Sequence, residues 1–182
     1  STIHGSGYLE YLLETLEEHF KNVDEILFIP YARPGGVSYD EYTEVVKKAF
    51  KKINKTVIGL YEFENAPDVI LNAKGIFTGG GNTFVLVNQL YKNKVLEPLK
   101  TVIKNGTPYL GTSAGSNICG LTMNTTNDMP IVYPPSFKKL HLALLEKRPL
   151  FAPACTSALA RASRLEITRR MTDSASCPMC PC

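Results

Sequence analysis

The sequence predicts an α/β fold of three layers, in which helices cover both faces of a mostly parallel β-sheet. Short apolar runs alternate along the chain with longer segments of helical spacing, which is the pattern of repeated β-α-β units. The runs are apolar throughout instead of alternating with polar residues, as expected of strands buried on both faces of a parallel sheet. With 182 residues, of which 44% are hydrophobic, the chain is long enough for one domain with a single sizeable core.

The first half of the chain contains two predicted helices and two predicted strands. Leucines recur at helical spacing over residues 7–20, opposite a face rich in glutamate, which predicts a helix. The apolar run at 25–30 predicts the first strand, and the run at 56–61 predicts the second. Between these strands, Ser38 is a suitable N-cap for a helix over residues 39–52.

The second half continues the alternation of helices and strands. Glycine commonly ends helices, because it adopts the left-handed conformation without strain, so Asn105-Gly106 marks a helix C-terminus. The expected order is a helix at 67–73, a strand at 75–78, helices at 83–91 and 95–103, and a strand at 108–111. Since the carboxyl ends of parallel strands meet at one edge of a sheet, the glycine-rich turns after the last two strands should share one crevice.

The overall composition argues against several classes of function. A net charge of +3 is too small to indicate binding to nucleic acid or to an anionic membrane. No apolar run approaches the roughly 18 residues of a membrane helix, and the polar opening from Ser1 to Ser6 is not a signal peptide. We therefore expect a cytoplasmic protein, in which Cys119 is a buried free thiol.

The composition changes abruptly near Lys147. All lysines lie at or before this residue, whereas the remaining segment is rich in arginine, serine and threonine and poor in large apolar side chains. Such a segment buries too little apolar surface to offset its ordering entropy. We predict an α/β domain over 1–147 and a divergent, disordered tail over 148–182. Three cysteines near its end offer one ligand fewer than the four of a structural zinc site.

The segment Gly111-Thr112-Ser113-Ala114-Gly115 matches the pattern G-x-S-x-G between a predicted strand and a predicted helix. This is the context of a nucleophile elbow, in which small neighbours allow a sharp turn that projects the serine hydroxyl from the sheet. The amide that follows the serine can then stabilise a developing oxyanion. Ser113 is the candidate nucleophile, with an ordinary N-cap serine in a glycine-rich turn as the alternative.

A second glycine-rich turn, Gly79-Gly80-Gly81-Asn82, follows the strand at 75–78. It lacks the lysine of a P-loop and the G-x-G-x-x-G spacing, which disfavours a phosphate site. Glycines also let bare N–H groups approach a substrate carbonyl, so an oxyanion strip is the preferred interpretation. A tight strand-to-helix turn would need fewer glycines.

The sequence shows no evident general base, although serine is a weak nucleophile until a neighbour takes its proton. Asp128 lies in a polar segment and is a candidate to orient a histidine, with a structural Asx turn as the alternative. His4 and His19 are expected at the surface. His141 lies in an apolar, helix-like stretch, where a packing role is expected.

Four segments in consistent order resemble the aspartyl dipeptidase (peptidase E) family. They are Phe28-Ile29-Pro30-Tyr31, Gly79-Gly80-Gly81-Asn82-Thr83-Phe84, Gly111-Thr112-Ser113-Ala114-Gly115-Ser116-Asn117 and Thr125-Thr126-Asn127-Asp128-Met129-Pro130-Ile131-Val132. The resemblance covers roughly residues 1–140. It implies a fold akin to class I glutamine amidotransferases and a cytosolic serine peptidase for dipeptides with N-terminal aspartate.

The resemblance also implies roles for individual residues. Ser113 falls on the family nucleophile, and Asp128 falls on an acidic residue of its charge relay. The oxyanion and substrate-binding positions correspond to Gly80, Gly81, Asn82 and the backbone of Ala114.

Two departures from the family pattern shape the hypotheses. The resemblance implies a further strand before Ser1, and a catalytic histidine near position 150, where this chain has Arg148-Pro149-Leu150. The domain at 1–147 is therefore expected to be incomplete at both ends.

The favoured hypothesis is a serine dipeptidase whose partner is a small acidic dipeptide, with no cofactor, metal, nucleic acid or membrane. The alternative is a catalytically impaired, truncated relative or isoform that lacks the histidine and acts as a binding or structural subunit. A nucleotide-binding domain is a third hypothesis, supported only by the glycine run. Homo-oligomer formation is left open.

Overall fold

The computed structural model describes residues 7–120, 122–123, 126–135 and 158–160, and one β-sheet forms its centre. The strands are β1 (Glu25–Ile29), β2 (Thr56–Gly59), β3 (Ile76–Thr78), β4 (Tyr109–Gly111) and β5 (Ala158–Ala160). Their order in the sheet is β2-β1-β3-β4-β5. The first four strands are parallel, and β5 pairs antiparallel with β4.

Helices connect the parallel strands as the alternating pattern predicts. None in the described part of the chain combines the length and the apolar character needed to cross a bilayer. The helices are α1 (Leu13–His19), α2 (Tyr39–Lys51), α3 (Ala66–Asn72), α4 (Thr83–Lys92), α5 (Leu96–Lys104) and α6 (Ala114–Asn117), with 3₁₀ turns at Glu10–Leu12 and Leu60–Glu62.

Side chains from the two faces of the sheet form two separate apolar clusters. On one face Phe28 and Phe77 stack with ring centroids 5.1 Å apart and pack against side chains of α1 and α2. On the other face Leu27, Ile29 and Ile76 pack against α3, α4 and α5. The alternation along each strand produces helix, sheet and helix layers, which confirms the predicted three-layer α/β class.

Two predicted elements are shorter than the sequence pattern suggests. The helix predicted over 7–20 consists of a 3₁₀ turn followed by α1, after a left-handed Leu9 with φ 58°. The strand predicted over 56–61 stops at Gly59, because the Gly59 N–H donates to the Glu62 carboxylate at 3.0 Å and the chain turns.

The predicted helix termini agree with the structure. The Ser38 hydroxyl accepts the Glu41 N–H at 3.1 Å, and the Glu41 carboxylate accepts the Ser38 N–H at 2.8 Å. This reciprocal pair is a capping box at the start of α2. Beyond α5, Gly106 adopts a φ of 101°, as expected of the glycine that ends a helix.

The predicted boundary at 147 lies outside the described residues. Of the segment 148–182, the structure describes Ala158–Ala160, whose backbone pairs with β4 in the register Tyr109 to Ala160. These three residues form a strand, and the cysteine-rich end of the segment lies outside the described part. The sheet therefore continues beyond β4, the strand that immediately precedes the turn with the candidate nucleophile.

Candidate active site

Ser113 lies in a sharp turn between β4 and α6. Its φ of 51° and ψ of −112° are unusual for a residue with a side chain, and its side chain is exposed. Such backbone strain is found most often at functional sites, where the surrounding structure holds it in place. Ser113 is therefore an exposed residue on a constrained backbone, as the elbow interpretation requires.

The glycines on either side of Ser113 are needed for this turn. A Cβ at Gly111 would overlap the carbonyl oxygen of Gly115, and a Cβ at Gly115 would overlap the carbonyl oxygen of Thr78. The Tyr109 hydroxyl also donates to the Gly115 carbonyl at 2.9 Å. The turn thus packs closely against β3, and the buried Tyr109 of β4 holds it through this hydrogen bond.

The glycine strip, which we define as Gly79–Asn82, lies directly beside Ser113. A Cβ placed on Gly80 would lie 3.0 Å from the Ser113 Cβ and 3.2 Å from the Thr112 carbonyl oxygen. Gly81 has a φ of 149°, and a Cβ there would overlap the Ala32 carbonyl oxygen. The two glycine-rich turns therefore lie side by side at the carboxyl edge of the sheet, as expected of turns that share one crevice.

The amides of this crevice divide into engaged and open groups. The Gly80 N–H donates to the Tyr42 hydroxyl at 2.9 Å, so it is not open to a substrate. Within the described residues, the N–H groups of Gly81 and Ala114 have no acceptor. The unpaired N–H groups thus belong to Gly81, which follows Gly80 in the strip, and to the buried Ala114, which follows Ser113, whereas Gly80 contributes the space that a side chain would fill.

The Asn82 side chain fixes the end of the strip. Its Oδ1 accepts the Val85 N–H at 3.1 Å, which caps α4, and its Nδ2 donates to the Met129 carbonyl at 2.8 Å. Its backbone N–H donates to the Ala32 carbonyl at 2.7 Å. Since both side-chain groups are engaged with protein, the structure gives Asn82 a holding role, and its contact with substrate stays a prediction.

Asp128 lies at the start of α4. Its carboxylate accepts the Thr83 N–H at 2.6 Å and also the Thr83 hydroxyl, to which the Asn117 amide donates at 2.9 Å. A carboxylate at a helix N-terminus is favourable because it faces the unpaired N–H groups and the positive end of the helix dipole. Asp128 thereby links the segment 126–130 to the strip, and its role in a charge relay stays a prediction.

The expected surface position of His19 is wrong. Its side chain is 8% exposed, its Nε2 lies 3.2 Å from the Tyr109 carbonyl oxygen, and its ring contacts Phe20 edge-on. Tyr109 begins β4, so this contact lies at the opposite end of the strand from Ser113, roughly 13 Å along the chain at 3.3 Å per residue. At that distance His19 cannot take the proton of Ser113. The other two histidines, His4 and His141, lie outside the described residues.

Tyr42, in α2, is a site residue that the sequence analysis does not single out. Its hydroxyl accepts the Gly80 N–H and lies 3.0 Å from the Tyr8 hydroxyl. A Cβ on Gly79 would lie 2.7 Å from the Tyr42 hydroxyl, so the ring packs directly under the strip. Burial is the main reason that the pKa of Tyr8 is raised well above 10, which keeps this hydroxyl protonated. Helical spacing alone carries no signal for such a contact.

Comparisons with known proteins agree on one family. A model described as "Peptidase family S51" matches residues 1–180. The chain is 44% identical over 145 residues to a "Probable alpha-aspartyl dipeptidase" of Drosophila melanogaster, covering 78% of this chain and 59% of that protein. It is 41% identical over 152 residues to "Peptidase E" of Shewanella denitrificans, covering 84% and 64%. The chain thus spans about three fifths of the length of these relatives.

A solved structure also shares the fold. A putative peptidase E protein from Listeria monocytogenes aligns with a TM-score of 0.62 at 24% identity, over 75% of this chain and 72% of that one. At this identity the likeness concerns the fold, and it agrees with the arrangement of sheet and helices described above.

Proposed function

Because the chain belongs to peptidase family S51, we propose that it is a serine-type dipeptidase for dipeptides with N-terminal aspartate, with Ser113 as nucleophile. The observation that carries the proposal is the exposed Ser113 in a strained turn, 3.0 Å from the position of a Cβ on Gly80. The name of the Drosophila relative, an alpha-aspartyl dipeptidase, supports this substrate class, and we extend it to this chain by proposal.

In the proposed reaction the Ser113 Oγ attacks the carbonyl carbon of the peptide bond. The oxygen that becomes negative accepts hydrogen bonds from the open N–H groups of Gly81 and Ala114. The amine of the second residue leaves with a proton, and water then hydrolyses the acyl-enzyme ester. A general base must take the Ser113 proton, and the described residues place no histidine beside it.

The proposal includes a cellular setting and a partner. The partner is a small acidic dipeptide, and neither nucleic acid nor membrane takes part. We place the protein in the cytoplasm, where a reduced thiol is the expected state of the buried Cys119. Burial raises the pKa of this thiol to about 12, so it stays protonated and unreactive in the core.

The test compares hydrolysis of Asp-Leu by the full chain and by Ser113→Ala, and the measured quantity is the free leucine released. Loss of a serine nucleophile lowers turnover by about 10⁴- to 10⁶-fold, so the variant should show no measurable release. Thr101→Ala is the matched control, because it removes an exposed hydroxyl on α5 whose one hydrogen bond to a described residue is to the Glu97 carbonyl. A fluorophosphonate should also add its mass to the peptide that contains Ser113.

Equal turnover by the full chain and Ser113→Ala would refute the nucleophile. Absence of both turnover and fluorophosphonate labelling would favour the alternative hypothesis of a relative without activity.

A further inference from the structure

The Asn117 side chain joins three segments of the candidate site. Asn117 is the last residue of α6, the helix that begins directly after Ser113. Its Nδ2 donates to the Thr83 hydroxyl at 2.9 Å and to the Thr126 hydroxyl at 3.3 Å. Thr83 is the first residue of α4 and is 1% exposed. One amide group therefore connects the helix after the candidate nucleophile with the helix after the glycine strip and with the segment 126–130.

The chemistry of the groups fixes the direction of each hydrogen bond in this cluster. The Asp128 carboxylate only accepts, so the single hydroxyl proton of Thr83 goes to Asp128. The Thr83 oxygen then acts as an acceptor for the Asn117 amide and for the Thr126 hydroxyl, which lies 3.3 Å away. The Thr126 oxygen in turn accepts the Asp128 N–H at 3.3 Å. Each of these donors has an acceptor, so the cluster specifies one arrangement of its side chains.

The two unpaired N–H groups near Ser113 belong to different elements. One is in Ala114, the first residue of α6, and the other is in Gly81, in the strip that precedes α4. Two donors stabilise the same oxyanion only if each lies about 2.7–3.1 Å from one oxygen atom. Their separation therefore depends on how α6 lies against the start of α4. Because α6 has four residues, Asn117 lies about one turn from Ala114, and the bond to Thr83 fixes both ends of the helix.

We propose that Asn117 is a positioning residue: its amide holds α6 against the start of α4 and thereby keeps the N–H groups of Gly81 and Ala114 in position for one oxyanion. This inference rests on the proposed function, because these N–H groups are the oxyanion donors of that reaction. Asparagine suits the role because its planar amide offers two donors, one for each threonine hydroxyl.

The first test is steady-state hydrolysis of Asp-Leu by Asn117→Leu, which keeps a side chain of similar size and loses both donors. We expect kcat to fall by about 10-fold, below the limit of about 10²- to 10³-fold for complete loss of an oxyanion donor. KM should change by less than about twofold, because the oxyanion forms only on the way to the transition state. Asn117→Gln keeps the amide and should recover part of kcat. An unchanged kcat in Asn117→Leu, or a loss confined to KM, would overturn the inference.

Asn72→Leu is the matched control. Asn72 is likewise an exposed asparagine at the last position of a helix, α3, and its Nδ2 donates to the Asp68 carbonyl at 2.8 Å in the same helix. This variant should keep kcat and KM at the values of the unmodified chain. An equal fall of kcat in both variants would overturn the inference, because the effect would then be one of general stability.

The signals of two backbone amides give a readout that needs no turnover. In nitrogen–proton correlation spectra, Asn117→Leu should move the Gly81 signal as well as the Ala114 signal, whereas Asn72→Leu should move neither. Gly81 is the informative amide, because it lies outside α6. Movement of both signals would support the positioning role even if the full chain hydrolysed no dipeptide, since loss of hydrolysis concerns the proposed function. An unmoved Gly81 signal would overturn the inference.

Thermal unfolding of each variant checks that it folds. If Asn117→Leu does not fold, Thr126→Val replaces it, because valine has a similar shape and removes one of the two acceptors of the Asn117 amide. The same movement of the Gly81 signal is expected there, with a smaller fall of kcat. A Gly81 signal that stays in place in Thr126→Val would overturn the inference.

Discussion

Removal of the Tyr42 hydroxyl tests whether the ring beneath the strip sets the position of the open amides. Tyr42→Phe keeps the ring, which lies 5.1 Å from Phe28 between centroids, and removes the acceptor of the Gly80 N–H. A partly buried donor without an acceptor costs about 1–3 kcal/mol. The strip can recover this free energy only by moving, and movement displaces the Gly81 N–H from the position of the oxyanion.

The expected size of the effect follows from that free energy. Complete loss of one oxyanion donor lowers kcat by about 10²- to 10³-fold, which sets the upper limit. A displaced donor still gives part of the stabilisation of the transition state. Tyr42→Phe should therefore lower kcat by about 10- to 100-fold, at about 1.4 kcal/mol per tenfold. KM should change little, because the donor acts mainly on the transition state. Unfolding in urea should show a loss of about 1–2 kcal/mol.

Steady-state kinetics on Asp-Leu measures both parameters, and Tyr8→Phe is the matched control. That variant removes the 3.0 Å contact between the Tyr8 and Tyr42 hydroxyls but leaves the bond from Gly80 to Tyr42 in place. We expect it to lose stability and to keep kcat within a few-fold of the unmodified chain. Wild-type kcat in Tyr42→Phe, or the same loss of kcat in both variants, would refute the positioning role.

Two further substitutions, each with a control, test the glycine strip and the carboxylate at the start of α4. Gly81→Ala should abolish turnover and destabilise the fold by about 2–4 kcal/mol in urea, because its Cβ would overlap the Ala32 carbonyl oxygen. Gly106→Ala, at a φ of 101° with nothing near its Cβ, should cost about 1–2 kcal/mol and leave turnover intact; similar losses in both would contradict the steric argument. Asp128→Ala should cost about 1–2 kcal/mol, as the loss of a helix cap does, whereas Asp24→Ala at an exposed carboxylate should cost little. An unchanged free energy of unfolding in Asp128→Ala would show that the contact with α4 does not stabilise the fold.

Features that depend on neighbouring residues could be predicted from the sequence. The capping box at Ser38 and the glycine that ends α5 involve residues within a few positions, so short patterns specify them. The elbow belongs to the same class, because Gly111 and Gly115 allow a turn that larger residues would block. The proximity of Ser113 and Gly80 was also predictable, since parallel strands bring their carboxyl ends to one edge.

Contacts between distant residues decided which groups of the site are open. Tyr42 and Gly80 are 38 positions apart, and their hydrogen bond reassigns the Gly80 N–H from the substrate to the protein. Asp128 and Thr83 are 45 positions apart, and His19 and Tyr109 are 90 apart. In each case the partner comes from a distant part of the chain that packing brings close, because a donor or acceptor removed from water needs a hydrogen-bond partner. The sequence by itself determined the fold class and the position of the candidate nucleophile, and tertiary packing decided which backbone donors near it remain unpaired.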